Sequence, residues 1–460
     1  MFEKIIRIKS GLLNLFGFGE GHSRTVKAKK NISISIGLRG VSIVISLIMI
    51  PLTIHYISPT KYGIWITLSS IVGWFGFFDI GLGHGLRNRF AEALAVKNHA
   101  LAQTYVSTTY AILSIFSLCL ILLFLVINPF LNWRSILNAG TETGISQELS
   151  YLALIIFSTF CFTFVLRLIT IILTADQEPA KASIFDFVGN ILNVIVIFIL
   201  IKTTKGSLLY LGLTISLTQI IVLLSSSIWF FSRKYKLYKP SFKCIDFSIA
   251  HDLFGLGVKF FLLQIAVVLL YQTNNIIIAQ LYGPKEVTPY SIAYRYFNIL
   301  MMTFSIVLSP LWSAFTDAWA KKELEWINNA LKKLIKSWII FAIVGVTMLA
   351  ISGPFYKIWL GKTVTIPFMM SALVLIYVLI NAWNGIFSSF LNGVSKVKLQ
   401  MFAGISAALL NVPFAVFLGK WIGIEGILTA NIIIFLPAVF IYPLQCKKIL
   451  KGNAQGIFNA

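Results

Sequence analysis

The chain has 460 residues, 58% of them hydrophobic and only 12% charged, with a mean hydropathy of +0.86. These values exclude an ordinary soluble domain and leave room for roughly a dozen membrane spans of about 20 residues each. The net charge of +22 is scattered through short segments between apolar runs; that pattern argues against nucleic acid and for topogenic Lys and Arg, helped by attraction to anionic membrane lipids.

Residues 1–31 read as a cytoplasmic N-terminal segment. Lys4, Arg7 and Lys9 break its apolar portion, so it lacks the long apolar stretch of a secretory leader. Ile5, Ile6, Ile8, Leu12, Leu13 and Phe16 suit a short interfacial helix or, equally, a loose tail. Gly17, Gly19 and Gly21 lack the G-K-[S/T] of a phosphate loop. Twelve apolar runs follow, at 32–57, 63–82, 104–127, 150–173, 184–201, 208–231, 253–280, 290–315, 337–353, 368–391, 399–418 and 426–445. They are expected to be helices, because an open sheet cannot satisfy its backbone in lipid. Pro51, Pro310, Pro413, Pro437 and Pro443 fall inside runs, where each frees a backbone carbonyl and permits a kink.

The runs group into an N-lobe at 32–231, a basic cytoplasmic linker at 232–252, a C-lobe at 253–445 and a cytoplasmic tail at 446–460. Of the 38 Lys and Arg, 26 lie in the two termini and alternate loops, and eight in the other loops. The asymmetry places both termini in the cytoplasm. No loop is long enough for a soluble catalytic domain: the longest outer one, Asn128 to Leu149, offers Arg134, Glu142 and Glu148 as its charges. Cys119, Cys161, Cys244 and Cys446 form no C-x-x-C, and the five histidines are dispersed, so neither a disulfide framework, a metal centre nor a cofactor is expected.

The stretch "GWFGFFDIGLGHGLRNRFAEALA", Gly73 to Ala95, joins the end of the second span to an amphipathic segment through Asp79 and the alternate glycines Gly81, Gly83 and Gly85. With no preceding strand these glycines are not a nucleotide fingerprint. Close helix packing and a flexible exit both account for them. A shift of 225 residues brings Pro59 onto Pro284, and "FAEA" at Phe90 to Ala93 onto "FTDA" at Phe315 to Ala318. A shift of 220 brings Gly37 and Arg39 onto Gly257 and Lys259. The two lobes thus read as copies of one six-span bundle. An even number of spans gives them the same orientation, a parallel repeat about an axis along the membrane normal. The repeat predicts a second polar exit helix after span eight.

Six ionisable residues fall within runs: Arg39, Asp79, Arg167, Asp186, Lys259 and Arg295. Each costs about 2.5–3.5 kcal/mol at a span centre and so needs a reason. Arg39 and Lys259 hold matching places and together suit an anion such as a diphosphate. Arg295 extends that basic lining toward the outer side. Asp79 is positioned to pair with Arg39, and Arg167 with Asp186; alternatively the acids are proton or sodium sites.

The run "YGIWITLSSIVGWFGFFDIGLGHGLRNRFAEALA", Tyr62 to Ala95, resembles the second-span signature of Wzx-type O-antigen and polysaccharide flippases. The whole plan resembles the multidrug/oligosaccharidyl-lipid/polysaccharide (MOP) exporter superfamily. The resemblance implies an all-α polytopic fold of about twelve helices, in two pseudo-symmetric lobes around a central cavity. It also implies a transporter rather than an enzyme, working by alternating access in the bacterial inner membrane. The implied cargo is an undecaprenyl-diphosphate-linked oligosaccharide, moved from the cytoplasmic to the periplasmic leaflet for O-antigen or a related surface polysaccharide. Polymerase and chain-length proteins of that assembly are implied partners, and H+ or Na+ an open choice of coupling ion. An ion-coupled multidrug exporter of the same superfamily is the alternative; its cationic substrates favour acids in the cavity, whereas four of the six intramembrane charges here are basic. A membrane-embedded polymerase would need a larger outer loop, and a scaffold would leave the buried charges without a purpose.

Overall fold

The structure, a computed structural model, describes residues 23–74, 82–140, 145–176, 178–250, 273–394 and 396–459. Every regular element among them is helical, and nine helices are long and apolar enough to cross a membrane. This is a multi-pass membrane protein. Its first half contains α1 (Ser23–Ile57), α2 (Pro59–Trp74), α3 (Leu82–Ala95), α4 (His99–Ile127), the short α5 (Trp133–Ile136), α6 (Ile145–Leu166), α7 (Leu168–Ala175), α8 (Pro179–Thr203) and α9 (Leu208–Ser232). Its second half contains α10 (Asn274–Tyr282), α11 (Pro284–Ala320), α12 (Leu324–Ala350), α13 (Ser352–Leu360), α14 (Phe368–Gly393), α15 (Lys398–Ile422) and α16 (Ile424–Leu450).

Local chemistry sets the breaks. Asn98 caps α4 by accepting from the Leu101 N–H, and Ser207 caps α9 by accepting from Tyr210. Gly283, at φ +88°, turns the chain between α10 and α11, and Pro284 then starts α11 where a missing N–H costs nothing. Several boundaries differ from the sequence expectation: α12 starts at Leu324, thirteen residues before its apolar run, and the run at 150–173 is broken at Arg167. The first helix begins at Ser23, nine residues before the apolar run, because its polar first turns continue the same helix. After span eight there is no separate exit helix: the span and the "FTDA" segment form the single 37-residue α11. The first copy has Gly81, Gly83 and Gly85 at this point; the second has Pro310 in place of Gly85, and α11 runs on through it.

The first half packs as one lobe, with α1 against α8, α8 and α6 against α9, and α3 against α4 and α7. In the second, α14 packs against α11, α12 and α16, and α15 against α16. The lobes meet where α2 crosses α11 and touches α10. The first and last described residues lie at the opposite end of the bundle. Tyr56 and Thr204 share a 2.8 Å hydrogen bond, so α1 and α8 run parallel toward the meeting end. Tyr282 bonds the Gly419 carbonyl there, and α16 runs from that point back toward the termini.

Buried apolar side chains follow the same division. One cluster spans both lobes at the meeting end, joining Ile50, Leu68 and Leu152 to Ile278, Phe297 and Leu375. Toward the termini the core splits. Leu86, Phe90, Ile172 and Tyr235 form a cluster within the first lobe, and Phe304, Phe315, Ile386 and Phe390 one within the second. Among the described residues, the lobes are therefore joined at one end and part toward the other.

Candidate functional site

The junction is built on close backbone approach. A β-carbon at Gly63 would overlap the carbonyl oxygen of Pro284, so only glycine lets α2 and α11 cross at this depth. The Thr288 hydroxyl donates to the Pro59 carbonyl at 2.6 Å. The 225-residue shift exchanges Pro59 with Pro284 and Gly63 with Thr288. Gly63-on-Pro284 and Thr288-on-Pro59 are thus one contact made twice, the signature of a two-fold-related interface. Hydrogen bonds extend the seam. Asn138 donates to the Ala279 carbonyl at 3.0 Å, and Gln280 to the Ser135 carbonyl at 2.9 Å. Deeper, Asn275 donates to Ser70 Oγ at 2.8 Å, while its own buried amide oxygen has no hydrogen-bond partner among the described residues.

Arg295 lies just beyond this seam. It is seven residues, two helical turns, past Thr288, and therefore on the face of α11 that packs against the other lobe. At Thr288 that face is fully buried, and at Arg295 it is exposed. The guanidinium therefore stands where the lobes part, about 16 Å along the helix from Pro284.

Asp186 and Arg167 are brought together in the first lobe. Arg167 Nη2 donates to Asp186 Oδ1 at 3.2 Å, with the side chains 56% and 59% exposed. The arginine sits at the break between α6 and α7, and Asp186 is two turns into α8. On α8 the lipid-facing stripe runs through Ile184, Val188, Ile195 and Phe198. Asp186 lies on the opposite face, in line with the buried Asn193 and Ile197. Asn193 in turn accepts from the buried Thr218 on α9. The pair thus faces the interior of the bundle, not the lipid. Arg39 lies on α1, and the parallel register fixed by Tyr56 and Thr204 puts its backbone about level with Asp186 on α8. Asp79 and Lys259 lie outside the described residues.

Two features escaped the sequence reading. Lys234, at the end of α9, pairs with Asp176 and, at 2.8 Å, with Glu178, while Lys181 reaches Glu178 at 2.8 Å. Tyr235 Oη donates to Asp176 at 2.9 Å. Burial opposes ionisation of Glu178, but the two lysines outweigh it and hold the carboxyl below its usual range. The "DQEPAK" string hinted at the Glu178–Lys181 pair through its i, i+3 spacing; nothing local pointed to Lys234. The second feature is the segment after α9, which is sewn to α4. His99 Nδ1 and Tyr238 Oη lie 2.7 Å apart, Gln103 donates to the Lys239 carbonyl, and the backbone N–H groups of Ser241 and Asp246 donate to Ser107 and Thr108.

This arrangement, two bundles with a basic group where they part, can admit a polar anionic head between apolar walls. Known proteins resemble this chain in sequence and in fold. The family model described as polysaccharide biosynthesis protein matches residues 28–316, and that described as MatE matches 260–417. A Yersinia pseudotuberculosis protein named as a candidate O-antigen export protein is 24% identical over 424 residues, covering 88% of this chain and 92% of that protein. Among solved structures, an inward-facing multidrug resistance MATE family transporter of the MOP superfamily superposes with a TM-score of 0.75 at 13% identity, over 92% of this chain and 100% of that one. An outward-facing MATE transporter of the superfamily gives 0.63 at 16% identity, over 93% and 96%.

Proposed function

The chain belongs to the polysaccharide biosynthesis protein family, and on that premise we propose that it is a flippase for undecaprenyl-diphosphate-linked oligosaccharide repeat units. The observation that carries the reading is Arg295, exposed two turns below the seam on the face that meets the other lobe. A diphosphate is the part of such a lipid that hydrocarbon excludes, and a guanidinium binds its oxygens bidentately. The prenyl tail stays in the bilayer while the sugar head occupies the space between lobes. Arg39 and Lys259 extend the basic lining, the latter by its place in the repeat.

The protein resides in the bacterial inner membrane with both termini cytoplasmic, as the Lys and Arg asymmetry supports. The parted end then faces the cytoplasm, where the repeat unit is loaded, and the seam closes the periplasmic end. Rocking of the lobes exchanges the two, and the product feeds O-antigen or a related polysaccharide through polymerase and chain-length proteins. Net movement needs a gradient or removal of product. Asp79 and Asp186 are the acids available for H+ or Na+ coupling, and an unchanged rate after collapse of both gradients would reject that role.

The test is leaflet transfer of a lipid-diphosphate oligosaccharide in liposomes. Arg295→Gln, correctly inserted, is expected to slow transfer roughly tenfold or more, the effect of losing a charged hydrogen-bond donor. Equal transfer in both would move the headgroup site elsewhere. The MatE match over 260–417 keeps one second reading in view: a wild-type chain that moves an organic cation and no lipid diphosphate, with gradients supplied, is a drug exporter.

A further inference from the structure

Pro51 lies inside α1, and a proline within a helix leaves the carbonyl four residues earlier without its donor. Here that carbonyl belongs to Leu47. Its hydrogen comes from the other lobe: the Trp359 indole N–H, on α13, donates to it at 2.9 Å. A second case stands among the described residues. Pro443, inside α16, orphans the carbonyl of Val439, and the Trp383 indole on α14 donates to it at 3.1 Å. Prolines are tolerated in spanning helices because neighbours re-satisfy such groups. The two cases differ in where the donor sits. Trp383 and Val439 belong to one lobe and move together, whereas Trp359 and Leu47 belong to different lobes.

We propose that Trp359 is a latch that holds the meeting end of the lobes shut by satisfying the carbonyl that Pro51 orphans. The proposal rests on the alternating-access part of the transport reading, though not on the identity of the cargo. When this end opens, the indole leaves, and a carbonyl with no helical donor is exposed. A pocket of ≈ 270 Å³ lies beside the contact, lined by Pro51, Leu52, His55, Leu360 and Thr363, while Trp359 and Leu52 pack against the core that spans both lobes. The hydrogen bond adds a directional hold to that packing and to the other bonds across the seam. Pro51 makes the bond matter, since any other residue there would supply an N–H from within α1.

The experiment reads the distance across the seam by paired spin labels in the full chain in liposomes. Lys205→Cys and Lys285→Cys place exposed labels on either lobe at this end, with Cys119 and Cys244 replaced by serine. Trp359→Phe keeps the aromatic ring and removes the donor. It is expected to raise the long-distance, open population about threefold to twentyfold, the range for one interhelical hydrogen bond in a membrane. Adding Pro51→Ala restores a backbone donor and should abolish that rise. Trp383→Phe should leave the distances unchanged. An unchanged distribution in Trp359→Phe would overturn the latch. So would an equal rise in the Pro51→Ala background, which would assign the effect to ring packing, or an equal rise in Trp383→Phe. A distance shift that appears while lipid-diphosphate transfer is absent would retire the cargo and retain the latch.

Discussion

At the meeting end of the bundle, α2 and α11 touch backbone to backbone through Gly63 and Pro284, and hydrogen bonds run from one lobe to the other. At the opposite end, the ion pairs Arg167–Asp186, Lys234–Asp176 and Lys181–Glu178 each stay within the first lobe, as Lys321–Asp317 stays within the second. The two chemistries suit two tasks. Neutral hydrogen bonds and close van der Waals contact act over a few tenths of an ångström, so they define one arrangement of the lobes and vanish when it changes. Ion pairs inside a lobe are carried along unchanged. Among the described residues, the bonds that join the lobes thus gather at one end, and these ion pairs within the first lobe at the other.

The largest effect should come from wedging the seam. Gly63→Leu is expected to reduce transfer by up to about a hundredfold and to lengthen the label distance, because the added carbons meet the Pro284 backbone. Gly73→Ala, near the other end of the same helix, adds a β-carbon with nothing within 4 Å and should be neutral. Equal loss in the two would erase the distinction between the ends.

A smaller effect is expected at the other end. Lys234→Met should destabilise the first lobe by about 1 kcal/mol, as lowered thermal stability, without altering the seam distance. Glu178 supplies the pH dependence. Its folded carboxyl titrates below the unfolded value of about 4.3, so its stabilisation is present above that value and is lost as pH falls through the folded one. Melting curves of wild type should therefore drop more steeply than those of Glu178→Gln as pH is lowered below about 4.

Smallest is the Arg167–Asp186 coupling. Both side chains are more than half exposed, so a double-mutant cycle with Arg167→Gln and Asp186→Asn should give less than about 1 kcal/mol. A larger value would mean that the pair is shielded and holds α6 and α8 together.

Much of this was legible beforehand, for identifiable reasons. Apolar length fixes spans, since lipid demands that each segment satisfy its own backbone. The repeat was visible at Pro59 and Pro284 because a helix start needs a particular residue. The reciprocal contact between Gly63 and Thr288 was not visible, because two unlike residues answer one geometric demand. The adjacency of Arg167 and Asp186 followed from their places on neighbouring antiparallel spans, whereas their inward orientation needed the faces of α8. Pro51 and Pro443 announced their orphaned carbonyls, but the indoles that answer them are 312 and 56 residues from those carbonyls. No local pattern encodes a partner at such separations.

The segment sewn onto α4 bears on how the gene could be divided. From Tyr238 to Asp246 its anchoring bonds all return to helix α4, at His99, Gln103, Ser107 and Thr108. Length alone would mark 232–252 as slack cable between two machines, equally safe to cut anywhere. Its bonds make it part of the first machine's casing. Two co-expressed fragments parted after Ala250 should reassemble, whereas a break at Arg233 would leave the second fragment carrying a ribbon whose docking groove lies on the first.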